Sequence, residues 1–141
     1  MPYDMAKLSM NDQRSDEARQ LMTAAGRDRL SFHLLLETGR APNETLGFLA
    51  QQACEKYLKA LLALVGAQFD RSHDLDYLAR LAIRTGIDLP VETERLRALN
   101  PYAVALRYEG TDVIWVTNEE AKHLVEAMRT LANTRLGSGI A

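Results

Sequence analysis

Two places in this chain combine residue types able to do chemistry. The first is a polar strip, Gln51, Gln52, Glu55, Lys56 and Lys59, which at roughly 100° per helical residue falls within an arc of about 140°. The second is His73, set in the run Arg71-Ser72-His73-Asp74-Leu75. A histidine titrates near neutral pH and can act as acid or base. No Ser or Cys nucleophile stands beside it with an orienting carboxylate, apart from Asp74, whose immediate succession on a helix start should point it elsewhere. His73 alone therefore reads more readily as a local hydrogen-bonding residue than as a catalytic one. The strip has two readings as well. It is a solvated face with an i,i+4 Glu55–Lys59 pair, or it is the floor of a cleft.

The remaining reactive side chains narrow the field. The single cysteine, Cys54, lies in an apolar arc with no His beside it in sequence, and reads as a buried inert thiol. Of the three histidines, His33 falls in an apolar stripe and is expected at the core or its boundary, while His123 is expected at the surface. No His/Cys/Asp/Glu cluster has metal-ligand spacing, so no metal is expected. Gly-rich phosphate loops are also absent from the sequence, and no cofactor is expected.

The strip belongs to a stretch, Asn43 to Gly66, whose other positions are almost all apolar: Leu46, Leu49, Ala50, Ala53, Cys54, Tyr57, Leu58, Leu61, Leu62, Leu64 and Val65. A surface helix needs an apolar stripe only a little over ~100° wide. Here it covers most of the circumference, which predicts a central helix with neighbours on several sides. Asn43 is the expected N-cap and Gly66 the expected C-terminal stop. Before it, Asp12 to Thr38 has helical spacing with Gly26 as a potential bend, and residues 1–11 read as a loose arm. Gly39-Arg40-Ala41-Pro42 turns the chain, giving an antiparallel pair.

After the central helix, Ser72 is the expected cap of a third helix through Leu75, Leu78, Ala79 and Ala82, ended by Gly86. Pro90 opens a fourth through Leu96 and Leu99, which Pro101 must kink or divide. Residues 109–116 form a loop with an apolar knot, Val113-Ile114-Trp115-Val116, suited to covering the bundle or to a symmetric contact. Thr117 and Glu120 have capping-box spacing for the last helix. The end, GSGIA, reads as frayed. No strand period persists, so the chain predicts one all-α domain over 1–141, an up-and-down bundle of about five helices.

Composition fits that outline. The chain has 141 residues, 47% hydrophobic and 26% charged, with a net charge of −2. Such a balance argues against wrapping nucleic acid by bulk electrostatics. A lone cysteine fits a reducing compartment. No charged start followed by an apolar run suggests a secretory signal, and no apolar run nears the ~18 residues of a membrane span. A cytoplasmic location is expected.

Three separated motifs, LAQQACEKYLKALL (Leu49–Leu62), RSHDL (Arg71–Leu75) and LRYEG (Leu106–Gly110), resemble the HEPN domain family. In order and spacing they are similar to its branch with QQAxEKxxKALL, THDL and RYP, over roughly residues 15–135. The resemblance implies a short helical bundle, often dimeric and often encoded beside a small nucleotidyltransferase in toxin–antitoxin-like modules. Many members are metal-independent ribonucleases with an Arg-x(4–6)-His motif on a late helix. Here Arg107 is followed by Tyr-Glu-Gly-Thr-Asp-Val-Ile, with no His at that spacing. An Arg-x(5)-His match at Arg27 and His33 falls on the first helix instead.

If the bundle folds as the resemblance implies, Gln52, Lys56, Lys59, His73, Arg107 and Tyr108 share a cleft for a nucleotide or phosphate. Arg would offer a bidentate fork and Lys a point charge. A helix N-terminus near Ser72 would add N–H groups for an anion. Three functions emerge as expectations. The first is a homodimeric partner of a nucleotidyltransferase that binds a nucleotide or RNA end. The second is a ribonuclease toxin using His73 and Arg107, and the third a homodimeric scaffold without ligand.

Overall fold

The structure, a computed structural model, describes residues 5–105 and 116–140, with side chains over 12–104 and 116–137. It consists of six helical segments among these residues: α1 (Met5–Thr38), α2 (Asn43–Leu64), α3 (Leu75–Arg84), α4 (Thr93–Arg97), α5 (Tyr102–Ala105) and α6 (Asn118–Ile140). The all-α bundle expected from the apolar periodicity is what forms.

α2 sits at its centre, packed against α1, α3, α5 and α6. Its Ala50, Ala53, Cys54, Tyr57, Leu58, Leu61 and Leu62 are all buried. Side chains of that kind stabilise by about 1.5–3 kcal/mol each when large and fully covered. Phe32 of α1, Leu75 and Leu78 of α3, and Leu124 and Met128 of α6 close around them. α1 and α2 run antiparallel, since Asp28 meets Lys56 while Arg14, earlier on α1, lies over Gly66 beyond the end of α2.

Several ends differ from the sequence expectation, each for a local reason. Pro42 takes the N-cap position of α2, with φ −59° and ψ 145°, and its carbonyl accepts from Thr45 and Leu46 N–H, so Asn43 is already helical. Asp74, not Ser72, caps α3: its carboxylate accepts from the N–H groups of Asp76 and Tyr77. Ser72 Oγ instead accepts from Asp74 N–H at 3.0 Å, one step earlier. Pro90 does not open α4, which begins at Thr93. Pro101 does divide the segment, and α5 starts directly after it. α1 passes through Gly26 without interruption, begins at Met5 inside the expected arm, and α6 runs on to Ile140.

Two glycines fix the ends of α2 against their surroundings. Gly66 (φ +74°) ends the helix with Ala67 N–H bonded to Leu62 O and Gly66 N–H to Ala63 O, the paired bonds of a Schellman stop. Gly47 lies against the ring of Tyr102, where any Cβ would collide with it. The Tyr102 hydroxyl accepts from Val116 N–H at 2.8 Å and donates to Val116 O at 3.3 Å. α5 and the start of α6 are thereby tied to the first half of α2.

Candidate functional site: a buried carboxylate behind an exposed imidazole

Gln51, Glu55 and Lys59 recur at i, i+4 and i+8 on α2, so their side chains stack along one line of the helix. Glu55 is the centre. Its Oε1 receives His73 Nδ1 at 2.9 Å and Gln51 Nε2 at 3.1 Å, and its Oε2 receives Lys59 Nζ at 3.1 Å. Gln51 Nε2 also donates to the His73 carbonyl at 3.1 Å, and Gln52 Nε2 donates to Gln51 Oε1 at 2.7 Å. The segment before α3 is thus fastened to α2 through both backbone and side chain of His73.

Burial divides the pair sharply. The Glu55 side chain is 4% exposed and the His73 side chain 68%. An ionised carboxylate only accepts hydrogen bonds, so the proton between them belongs to His73 Nδ1. Nε2 is then the free nitrogen of an exposed ring, able to accept a proton or, once protonated, to donate to an anion. A buried carboxylate needs several donors to offset its desolvation, and Gln51, Lys59 and His73 supply them.

The expected site residues separate. Lys59 and His73 meet at Glu55, with Lys59 engaged by that carboxylate and 14% exposed, while Gln52 joins them only through Gln51. Lys56 turns the other way and pairs with Asp28 of α1. Arg107 and Tyr108 lie outside the described residues, as does Trp115. The polar strip is neither an open solvent face nor a bare floor, because Gln51 and Glu55 are buried. A hollow of about 760 Å3 opens near the end of α2, beside Arg14, Gly66 and Phe69. None of His73, Glu55 or Lys59 lines it, so we place no chemistry there.

A second cluster escaped the sequence reading. Glu126 of α6 takes Arg29 of α1 in a forked pair, Nε at 3.0 and 3.1 Å and Nη2 at 2.7 Å, and also His33 Nε2 at 2.8 Å. The Arg29 hydrogen bond holds the Glu126 carboxyl below its usual range, against the opposing effect of burial. His33 is partly buried and stacks edge-on against Phe32, as a boundary residue would. The only sequence signal was the i,i+4 spacing of Arg29 and His33. Cys54 is buried, and burial pushes its thiol pKa up, away from thiolate chemistry. Among the described residues no group of His, Cys, Asp and Glu is arranged to hold a metal ion, and no helix is long and apolar enough to cross a membrane.

The all-helical bundle meets what the resemblance implies for the fold. The HEPN domain family model matches residues 18–137, most of the chain. The protein belongs to the HEPN domain family. No curated protein and no solved structure matches it.

Proposed function

We propose that this HEPN-domain protein binds a phosphate-bearing ligand, a nucleotide or an RNA end, at the surface around His73. In this reading it acts as the homodimeric partner of a minimal nucleotidyltransferase in a toxin–antitoxin-like module. The observation that carries the ligand is the exposed His73 ring held at Nδ1 by the buried Glu55. A fixed ring presents Nε2 in one direction, which lowers the ordering cost of binding. Lys59 shares the Glu55 carboxylate with it, and Gln52 reaches the same network through Gln51. Arg107 and Tyr108 join them on sequence grounds, as part of the third family motif.

The test is fluorescence anisotropy with a 5′-phosphorylated oligoribonucleotide, alongside calorimetry with ATP. His73→Ala and Arg107→Ala should each weaken binding at least tenfold, a loss of about 1.4 kcal/mol, without altering helical circular dichroism. Wild-type protein that binds neither probe at low salt rejects the ligand reading and leaves a scaffold.

The oriented imidazole also favours a second reading, in which His73 serves as acid or base in metal-independent RNA cleavage. Incubation of micromolar protein with structured and unstructured RNAs in the presence of EDTA tests it. Intact RNA in the wild-type reaction sinks that reading.

A further inference from the structure

One face of α6 borders a hollow of about 620 Å3, lined by His123, Glu126, Ala127, Thr130, Leu131 and Thr134 of the helix. Asp88, Leu89 and Pro90, from the loop before α4, complete the lining. The six helical positions recur at i, i+3, i+4, i+7, i+8 and i+11, which makes them a single stripe along α6. From His123 to Thr134 that stripe runs about 16 Å, or three turns. Its middle is small or apolar, with Ala127, Thr130 and Leu131. Glu126 is already engaged by Arg29 and His33, so its carboxylate is fixed in place.

A second hollow, of about 440 Å3, shares Asp88 and Leu89 with the first and adds Ile83, Ile87, Val91, Glu92 and Glu94. Ile83 in its lining is 48% exposed. The two hollows therefore adjoin, and together they form an apolar track. Asp88, Glu92 and Glu94 beside it are exposed. Asp88 and Glu94 have no ion-pair partner among the described residues, and Glu92 meets only Arg95, at 3.8 Å. No Lys or Arg lines either hollow. Three carboxylates of this kind repel a phosphate backbone and attract cationic side chains.

We propose that this track docks an amphipathic helix of a different protein, one with an apolar stripe about three turns long and Lys or Arg beside it. A helix laid in a groove anchors through side chains at i, i+3 or i+4, and i+7, and the α6 stripe offers a seam of that length. Charge selects the partner. Asp88 and Glu94, unpaired beside the apolar lining, favour basic flanks and penalise acidic ones. The inference does not rest on the ligand reading above, since none of Gln51, Glu55, Lys59 and His73 lines either hollow.

Fluorescence anisotropy of the full chain with two synthetic helical peptides tests it, at about 0.15 M salt to screen weak surface attraction. Both peptides carry the same leucine stripe, one with Lys flanks and the other with Glu flanks. The Lys peptide should bind with a dissociation constant below about 100 µM, and the Glu peptide at least about tenfold more weakly. Thr130→Trp fills the hollow at mid-stripe and should weaken the Lys peptide by about tenfold or more. Asp88→Lys combined with Glu94→Lys should reverse the preference. All three positions are exposed, so circular dichroism and melting temperature should stay unchanged. No binding of the Lys peptide, equal binding of the two peptides, or binding that Thr130→Trp leaves intact overturns the proposal. So does self-association in sedimentation velocity that Thr130→Trp abolishes, because a second copy is then the occupant. Binding of the 5′-phosphorylated oligoribonucleotide should be the same in Thr130→Trp and wild type. Its loss would merge the two surfaces and overturn this one as a separate site.

Discussion

Glu55 Oε1 stands 2.9 Å from His73 Nδ1, with the carboxylate inside the bundle and the imidazole at its surface. The two residues should therefore respond differently to substitution. Removing Glu55 leaves Lys59, itself largely buried, without its counter-charge, and breaking a buried pair costs about 3–5 kcal/mol. His73→Ala deletes a mostly exposed ring and should cost less than about 1 kcal/mol. Urea denaturation checks both. If His73→Ala destabilises as much as Glu55→Ala, the histidine is a structural strut and its exposure has no functional meaning.

The Arg29–Glu126 fork sets a pH dependence. The folded pKa of Glu126 is depressed, chiefly by the hydrogen bond from Arg29, with His33 adding to it. Stability from such a group is present above the unfolded pKa, about 4.3, and is lost as pH falls through the lower folded value. Glu120, depressed by Arg95, acts in the same direction. The melting temperature should thus decline on acidification below about pH 5, and Glu126→Gln should flatten part of that decline. Thermal melts from pH 7 to 3 decide it. A slope identical in wild type and variant rules out the contribution.

The central helix was legible because burial on several sides leaves an apolar arc too broad for a surface helix. Its end was legible at Gly66, since a left-handed stop favours one residue type. Starts were harder. Asn43 and Pro42 both suit a helix start, and only the backbone decides between them; Ser72 and Asp74 compete in the same way. At the site, the Glu55–Lys59 pair follows from spacing alone. The Glu55–His73 contact joins residues 18 apart through a loop, and Arg29 and Glu126 are 97 apart. No local period encodes either. Both are products of how α2 and α6 pack against their neighbours.

Tyr102 and Gly47 form a lock that the sequence spelled only as Pro101 followed by an aromatic. The hydroxyl serves both the N–H and the carbonyl of Val116. Tyr102→Phe should cost about 1 kcal/mol, since a partly buried backbone donor loses its acceptor. Gly47→Ala should be destabilising too, because overpacking against a fixed ring costs about 1–3 kcal/mol. Chemical denaturation of the two single variants and the double tests the coupling. Strictly additive losses would mean that the hydroxyl and the ring contact act independently, contrary to a lock.

Asp74 links fold to site most directly. Its Oδ1 accepts from the N–H groups of Asp76 at 2.9 Å and Tyr77 at 3.4 Å, and from Asn100 Nδ2 at 2.8 Å. Asn100 Oδ1 in turn accepts Leu75 N–H at 2.9 Å. The start of α3 is therefore held from both sides, and His73 is the residue immediately before it. Asp74→Ala should cost about 1–2 kcal/mol as a lost cap. It should also weaken oligoribonucleotide binding, because a frayed helix start no longer fixes the backbone that presents the imidazole. Asp74→Asn keeps a capping oxygen and should recover most of both losses. Recovery of stability without recovery of binding would instead assign the Asp74 charge, and not the cap, to the ligand surface.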